Sequence, residues 1–221
     1  MVWVRDHRWA LLLVSILALL VISPFAGVYD RNDNYISPLV GIMVITIILS
    51  TARGAATIGA LILLTLVWLV VSIVTDGSGL FAGVAIAAPV LFLIVMGSVF
   101  LLLVFWLAHV HAVSAETLCA ALCGYLLLGL FWTGIYALLY ARNPHAFIAL
   151  QGGKIEHGDL LCFSYGTLTT SGSSALTPTD RVVRVWASIE PVIGIFYNAV
   201  VIARLVSLYG FGRQPATPPV T

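Results

Sequence analysis

The chain has 221 residues, 61% of them hydrophobic and 9% charged, and its mean hydropathy is +1.10. A soluble domain of this size does not need so much apolar surface, so a polytopic membrane protein is expected. The formal net charge of +1 gives no reason to expect a nucleic-acid partner.

A bilayer-spanning helix takes about 20 mostly apolar residues. Runs of that kind predict spans at 9–28, 54–75, 80–108, 114–141 and 182–209, with a shorter one at 37–52. All should be helices, because lipid offers no partner to a backbone N–H or C=O. The first run follows Arg5 and Arg8, which is the charge layout of a signal peptide. It is long, ISPFAG is a poor cleavage site, and another apolar run follows almost at once, so retention is expected.

The early joints are short: VYDRNDNYISP, TAR, TDGSG and AHVHAVSAE. In the last of these, His109 and His111 sit with Glu116. Histidines there would act as a charge switch on an inner gate, or they are ordinary interface residues, which is the simpler reading. Trp9, Trp132, Tyr136, Tyr140 and Tyr209 fall near span ends or on helix faces. An interfacial belt and packing account for them without a ligand. Cys119 and Cys123 share a helix face at i, i+4 and Cys162 lies far along the chain, so packing residues rather than a disulfide framework are expected. With both termini on one side, Arg5, Arg8, Arg53, Arg204 and Arg213 share that side. Arg31, Arg142, Lys154, Arg181 and Arg184 share the other, so the positive-inside rule assigns no orientation.

The connection 142–181 breaks the pattern. At about forty residues it is long for a helix–helix joint, and such connections are usually functional or disordered. Within it LLCFSYGTL, 160–168, predicts about two turns of helix with Asp159 as N-cap. TLTTSGSSALTP, 167–178, follows. A half-length helix leading into a Gly/Ser/Thr stretch reads as re-entrant, too short to span and too apolar for water. Irregular backbone at membrane depth is tolerated only where it is buried in protein or lines a wet cavity.

Two spans flanking a half helix, followed by Thr167-Leu168-Thr169-Thr170-Ser171-Gly172-Ser173-Ser174-Ala175-Leu176-Thr177-Pro178, resemble the pore of the tetrameric potassium channel family. The family pattern is T-x-T-T-V-G-Y-G-D-x-x-P, and Thr and Pro align without a gap. Gly194 falls where such channels place a hinge glycine in the inner helix, and FYNAVVIARLV is similar to the end of bacterial inner helices. The resemblance covers about residues 114–209. It implies an all-α membrane protein with six transmembrane helices, and a re-entrant pore helix and filter loop between helices 5 and 6. Residues 1–112 would form a four-helix scaffold at the voltage-sensor position, 113–210 the pore domain, and 211–221 a short disordered tail. It further implies a homotetramer in a lipid bilayer, a multi-pass cell-membrane location (the bacterial inner membrane), and passive conduction of monovalent cations, K+ or Na+. No cofactor and no metal beyond the permeant ion are implied.

The 80–108 run carries no cation, so it has no charge to move through the membrane field and voltage gating is not expected. An intramembrane serine protease would need a base beside its serine. The histidines are 7, 109, 111, 145 and 157, none in the last span, and no catalytic residue is expected. A secondary transporter would show broken helices in both halves, and only one half has such an element.

Potassium selectivity in the family rests on stacked backbone carbonyls. Thr169, Thr170, Ser171 and Gly172 are matched to the inner ion sites, and Ser173 and Ser174 to the outer filter. Ser173 stands where the family has Tyr, Ser174 where it has a second Gly, and Ala175 where it has Asp. Gly166 stands where some relatives place a Glu behind the filter. Each change removes a brace, so weakened selectivity is expected. A non-conducting or regulatory channel-like subunit stays open as the alternative, as does a small transporter. Glu190, inside the last span, has two roles open to it. It braces the filter from behind, using space left by Gly166, or it lies near the outer helix end and reaches interfacial water.

Overall fold

The computed structural model describes residues 8–29, 55–78, 82–111, 113–150, 152–153, 155–172 and 175–211. The expected short span at 37–52 and the tail beyond Phe211 lie outside the described residues. The elements in chain order are α1 (Arg8–Tyr29), α2 (Ala55–Ser78), α3 (Ala82–Ala108), α4 (Ala115–Arg142), β1 (Phe147–Ala149), α5 (His157–Leu168), β2 (Leu176–Pro178) and α6 (Arg181–Phe211). The chain is thus mostly helical. Among the described residues, Pro89–Ala108, Ala115–Arg142 and Arg181–Leu208 are long and apolar enough to cross a membrane. Shorter apolar stretches, Trp9–Val21 and Leu61–Val71, lie in α1 and α2.

α4 is the central post. Its start is fixed by a reciprocal cap: the Ser114 hydroxyl accepts from the Thr117 N–H at 3.2 Å, and Thr117 Oγ1 accepts from the Ser114 N–H at 3.4 Å. It stops at Arg142 because Pro144 disfavours helical backbone at Asn143, which is extended at φ −140°. Two buried clusters meet along α4. One packs Trp9, Leu12 and Ile16 of α1, Leu61 and Trp68 of α2, and Val95, Met96, Val99 and Leu103 of α3 against Ala120, Cys123 and Leu127. The other joins Leu128, Trp132 and Tyr136 to Phe147, Leu160, Phe163, Leu168, Leu176 and Val183.

Three glycines make this convergence possible. Gly124, Gly129 and Gly134 step along α4 every five residues, and each step turns about 140° around a helix of 3.6 residues per turn. They therefore open three different faces. A Cβ built on Gly124 would overlap the Tyr197 hydroxyl of α6. One on Gly129 would meet the Tyr165 ring of α5 at 2.6 Å, and one on Gly134 the Phe92 ring of α3 at 2.7 Å. Each neighbour seats an aromatic ring where any larger residue would exclude it.

α5 has 12 residues, about 18 Å of helix against an apolar bilayer thickness of roughly 30 Å. Its N-cap is Glu156, not Asp159. Asp159 is the third helical residue, and its Oδ2 accepts from the Glu156 N–H at 2.9 Å. The helix begins before its apolar run because a polar first turn, with Asp159 on the positive end of the helix dipole, extends it backwards.

The all-α expectation also left out an antiparallel ribbon. Phe147 pairs with Pro178, Ile148 with Thr177 and Ala149 with Leu176. Asp180 then starts α6, its Oδ1 accepting from the Val182 N–H at 2.6 Å. α6 is largely unpartnered: Val185, Ile189, Val192, Phe196, Val200 and Val206 are all exposed.

Two charged side chains tie the helix ends together. Glu116 Oε2 accepts from the Trp9 N–H at 3.1 Å at the start of α1. Arg204 Nη2 donates to the Ala108 carbonyl at 2.6 Å and the Val110 carbonyl at 3.3 Å at the end of α3. Each charge has the sign that its helix end favours. His109 Nδ1 bonds back to the Phe105 carbonyl at 2.8 Å, and His111 is exposed. His109 and Glu116 therefore serve helix ends. Cys119, Cys123 and Cys162 are free thiols, half-buried, buried and exposed in that order.

Candidate functional site

The candidate site grows from the end of α5. A helix leaves its last four carbonyls without partners inside the helix. Here they are taken up locally. Tyr165 O receives the Thr169 N–H at 3.0 Å and the Thr169 hydroxyl at 2.6 Å. Gly166 O receives the Gly172 N–H at 3.1 Å and the Ser171 hydroxyl at 3.3 Å. Thr167 O receives the Thr170 N–H at 3.0 Å, and Leu168 O receives the Tyr125 hydroxyl of α4 at 3.2 Å.

These bonds fix the direction of the intervening carbonyls. No described peptide bond is cis. In a trans peptide, the C=O points opposite to the N–H that shares its plane. The Thr170 and Gly172 N–H groups turn back to α5, so the carbonyls of Thr169 and Ser171 point away from it. The dihedrals agree. Thr170 has φ 59° and Gly172 φ 68°, while Ser171 between them keeps a negative φ. Positive φ is cheap for Gly172 but costs a β-branched residue on the order of 1–2 kcal/mol. Thr170 holds it because the bonds on both sides impose it. Residues 169–172 are all exposed. The turn sits at the negative end of the α5 dipole, which favours a cation. Ser173 and Ser174 lie outside the described residues.

Behind the turn lies a buried carboxyl. Glu190 of α6 has no exposed surface. Its Oε2 accepts from the Tyr136 hydroxyl of α4 at 2.6 Å, and its Oε1 from the Ser164 hydroxyl of α5 at 2.7 Å. The Ser164 oxygen is also 2.9 Å from the Gly129 carbonyl, so two acceptors compete for its single proton. One side chain thus joins three helices. The reading of Glu190 as an interfacial residue reaching water is overturned by this burial. Its described bonds fall on α4 and the half helix rather than on 169–172 or Ala175.

The other expected supports act through backbone. Gly166 contributes the carbonyl that receives Gly172 and Ser171. Ala175 contributes a carbonyl that receives the Leu150 N–H at 2.8 Å. Gly194 lies against the root of the turn. A Cβ there would come 2.8 Å from Leu168 Cδ1 and 3.0 Å from the Leu168 carbonyl oxygen. Close approach alone therefore requires glycine at 194. Three residues earlier, Pro191 interrupts the hydrogen-bond ladder of α6.

Tyr136, Ser164, Tyr125 and Tyr165 were not among the expected site residues. From sequence, packing alone accounts for Tyr136. Ser164 carried one usable signal, as a hydroxyl inside the apolar run LLCFSYGTL. Tyr165 reaches back to the Leu126 carbonyl at 2.6 Å. Among the described residues, no three His, Cys, Asp or Glu side chains gather as metal ligands. No family model, curated protein or solved structure matches this chain.

Proposed function

We propose that the chain is one subunit of a potassium-channel-like cation channel. It conducts monovalent cations, K+ or Na+, passively through a homotetramer and is not voltage-gated. In this reading the chain crosses a cell membrane, the bacterial inner membrane, six times. α5 is the re-entrant pore helix, α6 the inner helix and Gly194 its hinge beside Pro191.

One observation carries the reading. The turn after α5 directs the Thr169 and Ser171 carbonyls away from the helix, at a strained Thr170 and a Gly172 of positive φ. Strain of this kind persists where surrounding structure imposes it, and it clusters at ligand sites. Carbonyls facing one way are what replace the hydration shell of a potassium ion. Two per chain are too few for that. Four copies around an axis supply eight, and the exposed Ile189, Val192, Phe196 and Val200 face of α6 gives the copies an apolar surface to share. Glu190, through Ser164, holds the half helix behind the turn. The absence of Tyr at Ser173 and of Asp at Ala175 supports weakened selectivity, and the cation-free α3 supports the lack of voltage gating.

The test is reconstitution. Purified protein in vesicles is assayed for K+ and Na+ flux, and its assembly is measured by particle mass in detergent. A tetramer that passes both ions, with K+ only modestly preferred, is expected. A tetramer passing neither ion identifies a non-conducting or regulatory subunit. A monomer or dimer refutes the pore.

A further inference from the structure

The ribbon β1–β2 was not expected from the sequence, and it ends on the candidate site. Leu150 N–H donates to the Ala175 carbonyl at 2.8 Å, and Thr179 N–H donates to the Ala146 carbonyl at 2.9 Å. Opposed residues in an antiparallel pair alternate between bonded and non-bonded positions. With 150 opposite 175 and 146 opposite 179 bonded, Ile148 and Thr177 form the third bonded pair. Pro178, which has no N–H, then falls opposite Phe147 at a non-bonded position, where its missing donor costs nothing. The register is therefore the one this sequence permits.

A two-stranded ribbon is marginal by itself. This one is held on one face and clamped at one end. Phe147 and Leu176 are buried, and the Phe147 ring lies 5.2 Å from Phe163 of α5 and 6.0 Å from Tyr136, the residue that donates to Glu190. At the open end the Thr179 hydroxyl donates to the His145 carbonyl at 2.5 Å, and Asn143 Nδ2 donates to Asp180 Oδ2 at 3.2 Å. Ala175, in the last bonded pair of the ribbon, is the first described residue after the site turn. The inner end of the stretch is tied by backbone to Gly166, and the outer end is tied by backbone to Leu150.

We propose that the strand 147–150 is the positioning element for Ala175, and that this pairing sets how well the pore distinguishes K+ from Na+. The inference rests on the channel reading above. It assigns to backbone pairing a task for which Ala175 has no polar side chain. Leu150 and Ile148 are the residues to vary, because both side chains are exposed, at 69% and 58%.

The experiment compares Leu150→Pro with Leu150→Ala in reconstituted vesicles, reading the K+/Na+ permeability ratio beside each flux. Proline removes the N–H that bonds Ala175, and alanine keeps it. Leu150→Pro should remove the modest K+ preference and bring the ratio to about one, while Leu150→Ala leaves it unchanged. A merely structural role would reduce both fluxes together at constant ratio. A second arm places Leu150→Pro in an Ile148→Cys/Thr177→Cys background with Cys162→Ser. The opposed Cα atoms are within disulfide reach at about 5.5 Å. Oxidation should restore the ratio in the same preparation, and reduction should lose it. An unchanged ratio in Leu150→Pro, or no response to oxidation in the cross-linkable variant, overturns the inference while leaving the channel reading intact. A wild-type tetramer without flux overturns the channel reading and this inference with it.

Discussion

Replacing Glu190 tests the junction of α4, α5 and α6 directly. In Glu190→Ala the Tyr136 hydroxyl loses its partner inside the protein, while Ser164 keeps the Gly129 carbonyl at 2.9 Å. One orphaned buried hydroxyl costs about 1–3 kcal/mol. The volume left by the carboxyl group adds about 1 kcal/mol at the usual cost of an unfilled cavity. Removing the carboxyl also ends its own desolvation, so the net loss of stability should be about 2–3 kcal/mol. Glu190→Gln should cost under about 1 kcal/mol, because the amide can satisfy the same two residues. Its oxygen accepts from Tyr136, its N–H donates to Ser164, and the Ser164 proton passes wholly to Gly129. Tyr136→Phe should cost about 1–2 kcal/mol on its own. Combined with Glu190→Ala it should cost less than the sum by a similar amount, since the orphan is gone. Denaturant unfolding of the purified protein in detergent reads all four variants. A Glu190→Ala protein within about 0.5 kcal/mol of wild type, or strict additivity in the double variant, would refute the three-helix junction.

Gly172→Ala isolates the backbone requirement. Among the described residues nothing lies within 4 Å of the added methyl, so a cost of about 1 kcal/mol and a loss of flux are expected from φ 68°, and Gly172→Asn should recover part of both. Gly194→Ala should destabilise by about 1–3 kcal/mol by forcing α6 off Leu168, with only partial relief from Leu168→Ala because the carbonyl contact at 3.0 Å remains. Altered gating with unchanged unfolding would instead mark Gly194 as a hinge alone. Arg204→Gln should cost about 0.5–1 kcal/mol at low salt and less at high salt, with Arg204→Lys intermediate. A salt-independent effect in a thermal melt would contradict the helix-end contact.

How legible all this was depends on the range of the force involved. The long helices α3, α4 and α6 were visible because a bilayer demands an uninterrupted apolar run, and hydropathy reads such runs directly. The half helix is visible for the same reason, but it starts at His157, three residues before its apolar run. The signal used was apolar, and the first turn of α5 is not. Glu190 was visible as an anomaly, a carboxylate in an apolar span. Its partners were not, since Tyr136 lies 54 residues away and Ser164 lies 26 away, and only the packing of three helices brings them together. The ribbon could not be read. FIA and LTP have three residues each, too few for any alternation to register. Gly124, Gly129 and Gly134 recur every five residues, which matches no helix-face pattern. They escape notice because they serve three different neighbours.

That difference bears on the degenerate stretch itself. From sequence, the changes at 173–175 appear as lost side-chain braces. In the structure the ends of the described turn are held by main-chain donors and acceptors: Gly172 to Gly166, Thr170 to Thr167, Leu150 to Ala175. Main-chain bonds survive substitution of the side chains around them, so a stretch held this way tolerates Ala at 175 where a side-chain-braced one would not. The positions that resist change should then be those where the backbone itself is constrained. These are Gly172 for its φ, Gly194 for its contact with Leu168, and Gly129 for the Tyr165 ring. A substitution scan across 169–178 and these glycines, scored by flux, should find the three glycines less tolerant than Ala175. The reverse order would return the task of holding the stretch to its side chains.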